Sequence, residues 1–197
     1  MRSILRQDPD IVMIGEIRDL ETAETAINAS LTGHLLLSTV HTNSAAGAIP
    51  RLLSMNVKPF LLAPALNLIV AQRLVRVLCD KCKQQAAIAP ELLDRAKKVI
   101  AEIPDANVDK PKTDNLVFYK PVGCPVCNNL GFKGRIGIFE LITITDEMKK
   151  MINENKATEL DIETLARKNG MTKIVEDGVI KACQGLTTLD EVFRVTE

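Results

Sequence analysis

A chain of 197 residues is long enough to bury a real core, and a 46% hydrophobic content excludes a disordered polymer. Lysine plus arginine and aspartate plus glutamate both number 25, so the formal charge is zero and no electrostatic footprint for wholesale nucleic-acid or membrane binding is present. With no tryptophan, one tyrosine and five phenylalanines, there is little for base stacking or an interfacial aromatic belt.

The start, Met1-Arg2-Ser3 running into Asp8 and Asp10, lacks the pattern of a secretory leader. The most apolar stretch, residues 59–71, is interrupted by Pro59, Pro64 and Asn67 and is too short to span a bilayer. Five cysteines without a leader point to a reduced compartment, where paired cysteines usually hold metal.

Three compositional blocks follow along the chain. In the first, residues 1–77, Ile11-Val12-Met13-Ile14 reads as a strand buried on both faces. Asp19 is placed to cap a helix whose apolar positions are Ala23, Ala26, Ile27 and Leu31, with Gly33 as its stop. Leu35 to Val40 reads as a second buried strand. Asn43 is the expected cap of a helix reaching about Met55, with Pro50 inside it. A longer helix is expected from Pro59 to about Val77, bent at Pro64. This rhythm of strand and helix implies an α/β domain with a parallel sheet. The second block, residues 78–142, carries cysteines, a helix near residues 91–103, a polar loop over 104–115 and a strand over Ile136–Ile142. The third, residues 143–197, reads as short helices capped by Thr145, Thr158, Thr172 and Thr188.

Several residues carry candidate chemistry. Glu16 follows the first strand, and in α/β sheets ligands bind outside the carboxyl ends of strands. A carboxylate there can orient water or hold Mg²⁺ beside a bound phosphate, or merely begin a surface turn. His34 and His41 frame the second strand and cannot both serve one small site, since an odd separation places them on opposite faces. His41, followed by Thr42 and Asn43, shares the carboxyl edge with Glu16 and is the phosphate-contact candidate; His34 is the structural one. Cys79-x-x-Cys82 and Cys124-x-x-Cys127 can complete a tetrahedral zinc shell, with Gly123, Gly131 and Gly134 in its turns; redox dithiols and unrelated thiols are the alternatives. Cys183 sits in an apolar helical pattern and reads as core. Gln72, Arg73 and Arg76 reach nucleotide, a neighbouring subunit or only a helix C-terminus; Arg18 pairs with an acid or bridges subunits.

Taken together, these motifs resemble those of a known family. Residues 8–19 resemble the degenerate Walker B segment of type II secretion and type IV pilus assembly ATPases, with Gly15 where ordinary Walker B segments carry an acid. Residues 31–34 through 41–44 resemble their histidine box. Ala71-Gln72-Arg73-Leu74-Val75-Arg76, the cysteine module and residues 134–140 are similar to the family in the same order. The resemblance implies the C-terminal portion of a RecA-like P-loop NTPase domain, over residues 1–77, with a zinc subdomain over 78–142 and a helical subdomain over 143–197. It implies ATP, Mg²⁺ and Zn²⁺ as cofactors, with Glu16 and His41 catalytic and Glu16, His41, Thr42 and Arg73 at the nucleotide. It also implies a cytoplasmic homo-hexamer peripheral to the inner membrane, working on a platform protein and other assembly components and not on nucleic acid. The family's G-x-x-x-x-G-K-[ST] loop does not occur in the sequence, so the chain is expected to be a portion of the motor that is inactive by itself. The rival readings are a non-enzymatic zinc module docking a membrane platform and a zinc-ribbon nucleic-acid binder.

Overall fold

The computed structural model describes Gln7 and residues 9–197, so Asp8 of the Walker B-like segment lies outside the described residues. In chain order the principal elements are β1 (Ile11–Ile14), α1 (Leu20–Leu31), β2 (Leu35–Ser38), α2 (Ala48–Ser54), α3 (Pro59–Ala65), β3 (Leu68–Leu78), β4 (Gln84–Gln85), α4 (Pro90–Glu102), β5 (Tyr119–Lys120), β6 (Phe132–Thr143), α5 (Asp146–Asn153), α6 (Glu159–Lys168), α7 (Ile174–Cys183) and α8 (Leu189–Thr196). They group into two compact units, Met1–Ile69 with Ile142–Asn169, and Val70–Leu141 with Gly170–Glu197. Both are discontinuous in sequence, so residues 143–197 contribute helices to each. Among the described residues no helix is long and apolar enough to cross a membrane.

In the first unit β1 and β2 pair in parallel, with Ile11 opposite Leu35 and Ile14 opposite Ser38. The crossover helix α1 starts where the sequence places it. Asp19 is extended, its carboxylate accepts the Thr22 N–H at 2.8 Å, and this bond lowers its pKa. Gly33, at φ +101°, ends the helical run. Ala23, Ala26, Ile27 and Ala29 are buried, and α1 packs against β2.

Burial on both faces of these strands is not what the structure shows. Val12 and Ile14 are covered, whereas Ile11 and Met13 are 61% and 78% exposed, and Leu35 and Leu37 are exposed beside them. The expected second strand also stops at Ser38 rather than Val40, because Thr39 turns its hydroxyl onto the Gly15 carbonyl.

Two helices differ from expectation as well. α2 begins after Gly47, not at Asn43, because Ala45 and Ala46 bury themselves first. Pro50 then falls in the first turn, where the N–H it lacks has no intrahelical partner. The long helix over residues 59–77 ends at Ala65, and Leu66 is extended (ψ 133°). From Leu68 the chain is β3, paired with β6. Pro64 removes one donor, and the β-branched positions Ile69, Val70, Val75 and Val77 favour the pleated alternative once a partner strand exists. In the same unit α3 packs against α5, and Thr145 and Thr158 cap α5 and α6 as expected.

The second unit is built on Ala96, Ile100, Phe118, Val179, Leu189, Val192 and Phe193, with Cys183 packed against them. α8 is capped by Thr188, but α7 is not capped by Thr172. There Glu176 accepts the Lys173 N–H at 2.8 Å, while the Thr172 hydroxyl accepts a hydrogen bond from Asn107. Arg76, expected near a helix end, lies on β3 and donates to Glu191 Oε1 at 2.6 Å; Arg194 adds bonds of 2.9 and 3.0 Å to the same carboxylate. Glu191 is 2% exposed, and the two guanidiniums, Arg76 foremost, hold its carboxyl down to about 2.

A depressed carboxylate stabilises the fold above its ordinary pKa and loses that contribution as pH falls through the folded value. The Glu191 contribution is therefore expected in full above about pH 4.5 and to disappear by about pH 2. Glu191→Ala is expected to lower unfolding free energy at pH 7 by about 3 kcal/mol, since it leaves both arginines without their acid. Urea titrations of both proteins at pH 7 and pH 3 check this, and a gap that does not narrow at pH 3 contradicts it.

Candidate functional site

Two clusters of candidate residues are brought together, one in each unit. The first lies just past the carboxyl ends of β1 and β2, where pairing continues after strand geometry stops. The Ile17 N–H donates to the Thr39 carbonyl at 2.9 Å, and the Thr39 hydroxyl donates to the Gly15 carbonyl at 2.6 Å. With the two backbones laced on both sides of Glu16, its side chain meets His41, 25 residues later, with His41 Nε2 2.9 Å from Glu16 Oε2. Arg18 Nε reaches the same oxygen at 2.6 Å. The Arg18 hydrogen bond is the chief cause of a lowered Glu16 pKa; desolvation opposes it and His41 reinforces it. An ionised carboxylate only accepts, so the His41 contact is a hydrogen bond when Nε2 carries its proton. The side chains remain open to solvent, 35% for Glu16 and 76% for His41, as a site for an incoming ligand requires.

The loop after His41 is pinned. The Thr42 hydroxyl donates to the Ser44 carbonyl at 2.8 Å, and Ala45 and Ala46 are each 1% exposed. Ser44 accepts the Gly47 N–H at 3.0 Å and donates to Glu159 Oε1 on α6 at 2.5 Å. His34 is held differently, its Nδ1 lying 3.0 Å from the Ala29 carbonyl and 3.1 Å from Thr32 Oγ1 at the end of α1. Arg73 belongs to the other unit, where its guanidinium donates to the Gln72 carbonyl at 3.2 Å. Thr39 and Glu159 have no signature in the sequence, and Ser44 falls in the histidine box without its role being legible, because a serine 115 residues from its acid matches no local pattern.

The second cluster is Cys79, Cys82, Cys124 and Cys127, whose sulfurs all lie within 4.8 Å of one another. Three of the sulfur–sulfur distances are 3.9 Å (Cys79–Cys124), 3.8 Å (Cys82–Cys127) and 3.7 Å (Cys124–Cys127). A tetrahedral ion with bonds of about 2.3 Å places its sulfurs about 3.8 Å apart, whereas a disulfide needs about 2.05 Å. The cluster has metal-site dimensions. Around it, N–H groups point at sulfur: Gly123 to Cys82 at 3.3 Å, and Cys124 and Gly131 to Cys127, each at 3.2 Å. Burial pushes the Cys82 thiol up to about 11. At Cys127 burial acts the same way, but the two N–H donors and the neighbouring sulfurs prevail and draw it down to about 6.

The turns that make this possible need glycine. Gly131, at φ +74°, donates its N–H to Cys127, and its carbonyl accepts the Cys79 N–H at 2.9 Å; a Cβ there would meet the Pro121 Cβ at 2.4 Å. Gly131→Ala combines a left-handed backbone with a clash and is expected to cost about 2–4 kcal/mol. Thermal unfolding of the variant checks this; an unchanged midpoint contradicts the packing described.

Residues 1–194 match the family described as Type II/IV secretion system protein. The whole chain is 45% identical to Type II secretion system ATPase E of Vibrio cholerae serotype O1, covering 36% of it. It is 47% identical to Type IV pilus assembly ATPase PilB of Pseudomonas aeruginosa, covering 33% of that protein. The chain thus spans about a third of the length of these relatives. Among solved structures, the pilus retraction motor PilT with bound ADP superimposes with a TM-score of 0.60 at 24% identity, over 98% of this chain and 41% of that one. The Legionella pneumophila ATPase DotB gives 0.59 at 19%, over 98% and 40%. These likenesses establish a shared α/β fold, and the match over residues 1–194 establishes that the chain belongs to the type II/IV secretion system protein family.

Proposed function

We propose that this chain is part of an ATP-hydrolysing motor that powers type IV pilus assembly or type II protein secretion. The observation that carries the reading is the Glu16–His41 pair, 2.9 Å apart at the carboxyl edge of a parallel strand pair. That edge is where α/β folds receive phosphorylated ligands. In this reading Glu16 orients the attacking water and His41 meets the phosphate oxygens, with Thr42 beside it. Glu16 supplies a hard oxygen of the type Mg²⁺ accepts, and the ion's role is to neutralise charge on the phosphates. The sequence contains no Gly-Lys-Ser or Gly-Lys-Thr, so the phosphate cradle comes from outside these 197 residues and the isolated chain is expected not to turn over ATP. The complete motor is a homo-hexamer at the cytoplasmic side of the inner membrane, engaged with a platform protein and other assembly components.

The test is Glu16→Gln in the complete motor. Turnover is expected to fall at least about 100-fold while ATP affinity changes less than about threefold, because a water-orienting carboxylate acts on the transition state. His41→Ala is expected to cost more turnover than His34→Ala in equally stable proteins. Near-normal hydrolysis by Glu16→Gln overturns the assignment.

The cysteine cluster has a separate role in the proposal. Cys79, Cys82, Cys124 and Cys127 hold one Zn²⁺, whose four thiolates leave no open coordination position, so the ion is structural. It cross-links a segment that contributes little core beyond Ile100, Ile103 and Phe118. Purified protein is expected to contain one zinc per chain, and Cys124→Ser to lose it and speed amide exchange over residues 79–85 and 119–134. Metal-free protein with those amides still protected contradicts this.

A further inference from the structure

The Ser44–Glu159 bond ties the His41 loop to a helix 115 residues away in sequence and inside the same unit. His41 lies midway between two fixed points. Behind it, Thr39 is laced to Gly15 and Ile17. Ahead of it, Ser44 is bonded to Glu159, and the next two residues, Ala45 and Ala46, are buried. The approach at Ser44 is close: a Cβ on Gly47 would stand 3.2 Å from Ser44 Oγ and 3.4 Å from Glu159 Oε1. Ser44 Oγ also accepts the Gly47 N–H at 3.0 Å, so one hydroxyl closes the turn that starts α2 and fastens it to α6. Glu159 is the first residue of α6, where a carboxylate also suits the helix N-terminus, and Thr158 caps the helix independently.

We infer that Glu159 is a positioning residue for the proposed hydrolysis, acting through Ser44 to hold the loop that presents His41 to Glu16. This rests on the function proposed above. It also makes α6 the element through which a displacement elsewhere in the first unit would be felt at His41. Glu159 bonds to Ser44, whereas Glu16 bonds to Arg18 and His41, so removing Glu159 is expected to affect how often His41 is in place and not what His41 does once there.

The inference is tested with Glu159→Ala, Ser44→Ala, the double variant and Glu159→Gln, which keeps an oxygen at Oε1. In amide exchange, the alanine variants are expected to exchange residues 42–47 about 10-fold faster, with β1 and β2 unchanged, because a local tether is lost and not the fold. In the complete motor each alanine variant is expected to lower kcat about 3–10-fold with KM for ATP unchanged, and the double variant is expected to be no worse than Ser44→Ala, which already removes the Glu159 bond together with the Gly47 one. Glu159→Gln is expected to restore both readouts. Additive losses, or no change in exchange at residues 42–47 in Glu159→Ala, overturn the inference. Loosened loops with intact turnover, in a motor where Glu16→Gln is silent as well, would fault the ATPase reading and not the tether.

Discussion

The proposed nucleotide site depends on a parallel strand pair that goes on bonding after its strands have ended. β1 and β2 supply four residues each, too few to define a sheet by length. Pairing survives past Ile14 and Ser38 because Thr39 uses both its carbonyl and its hydroxyl on the opposing segment. In a parallel pair both strands point the same way, so their carboxyl ends emerge together and residues far apart in sequence become neighbours. Glu16 and His41 are such neighbours, and α1 is the crossover that brings the second strand back beside the first.

The second unit solves a different problem. The span from Cys79 to Leu130 contains one α-helix, two three-residue 3-10 turns and two two-residue strands, and buries few large side chains. Such a segment has little apolar area with which to offset about 1–2 kcal/mol of backbone entropy per ordered residue. Bringing four sulfurs within 4.8 Å answers that need, because a bound ion would close the loop between residues 82 and 124. Glu191 works by the opposite logic. It is a buried charge, made tolerable by two arginines, and it binds β3 to α8 by electrostatics instead of apolar contact.

Legibility in the sequence followed the range of each interaction. Caps at Asp19, Thr145, Thr158 and Thr188 were readable because a cap and its N–H are three residues apart. The cysteine cluster was readable because each CxxC turn is local and two such pairs form a distinctive pattern. The segment after Pro64 was misread as helix because an apolar run carries both a 3.6 and a 2.0 period, and only a partner strand over 50 residues away decides between them. The exposed faces at Ile11, Met13, Leu35 and Leu37 were misread for a related reason. Residue type shows that a strand suits burial but not whether another element covers it. Glu191 and Glu159 look like ordinary surface acids in sequence, and only the fold shows that one is buried and the other bonded to Ser44.

What holds His41 beside Glu16 can be decided by comparing the candidate forces. Their mutual contact is exposed, and water screens such a pair and competes for its hydrogen bond, so it is weak as an anchor. Arg18 adds a cation to the same oxygen but is itself 69% exposed and only two residues away, so it fixes no long-range geometry. Against these stands the entropy of ordering residues 40 to 47, on the order of 10 kcal/mol by the per-residue scale. The side-chain pair cannot supply that. The backbone lacing at Thr39, the burial of Ala45 and Ala46 and the Ser44 bond must do so. The pair is therefore a result of the scaffold and not its cause. This suits a site that exchanges ligands, because a contact that contributes little to the fold can be broken and remade without unfolding it.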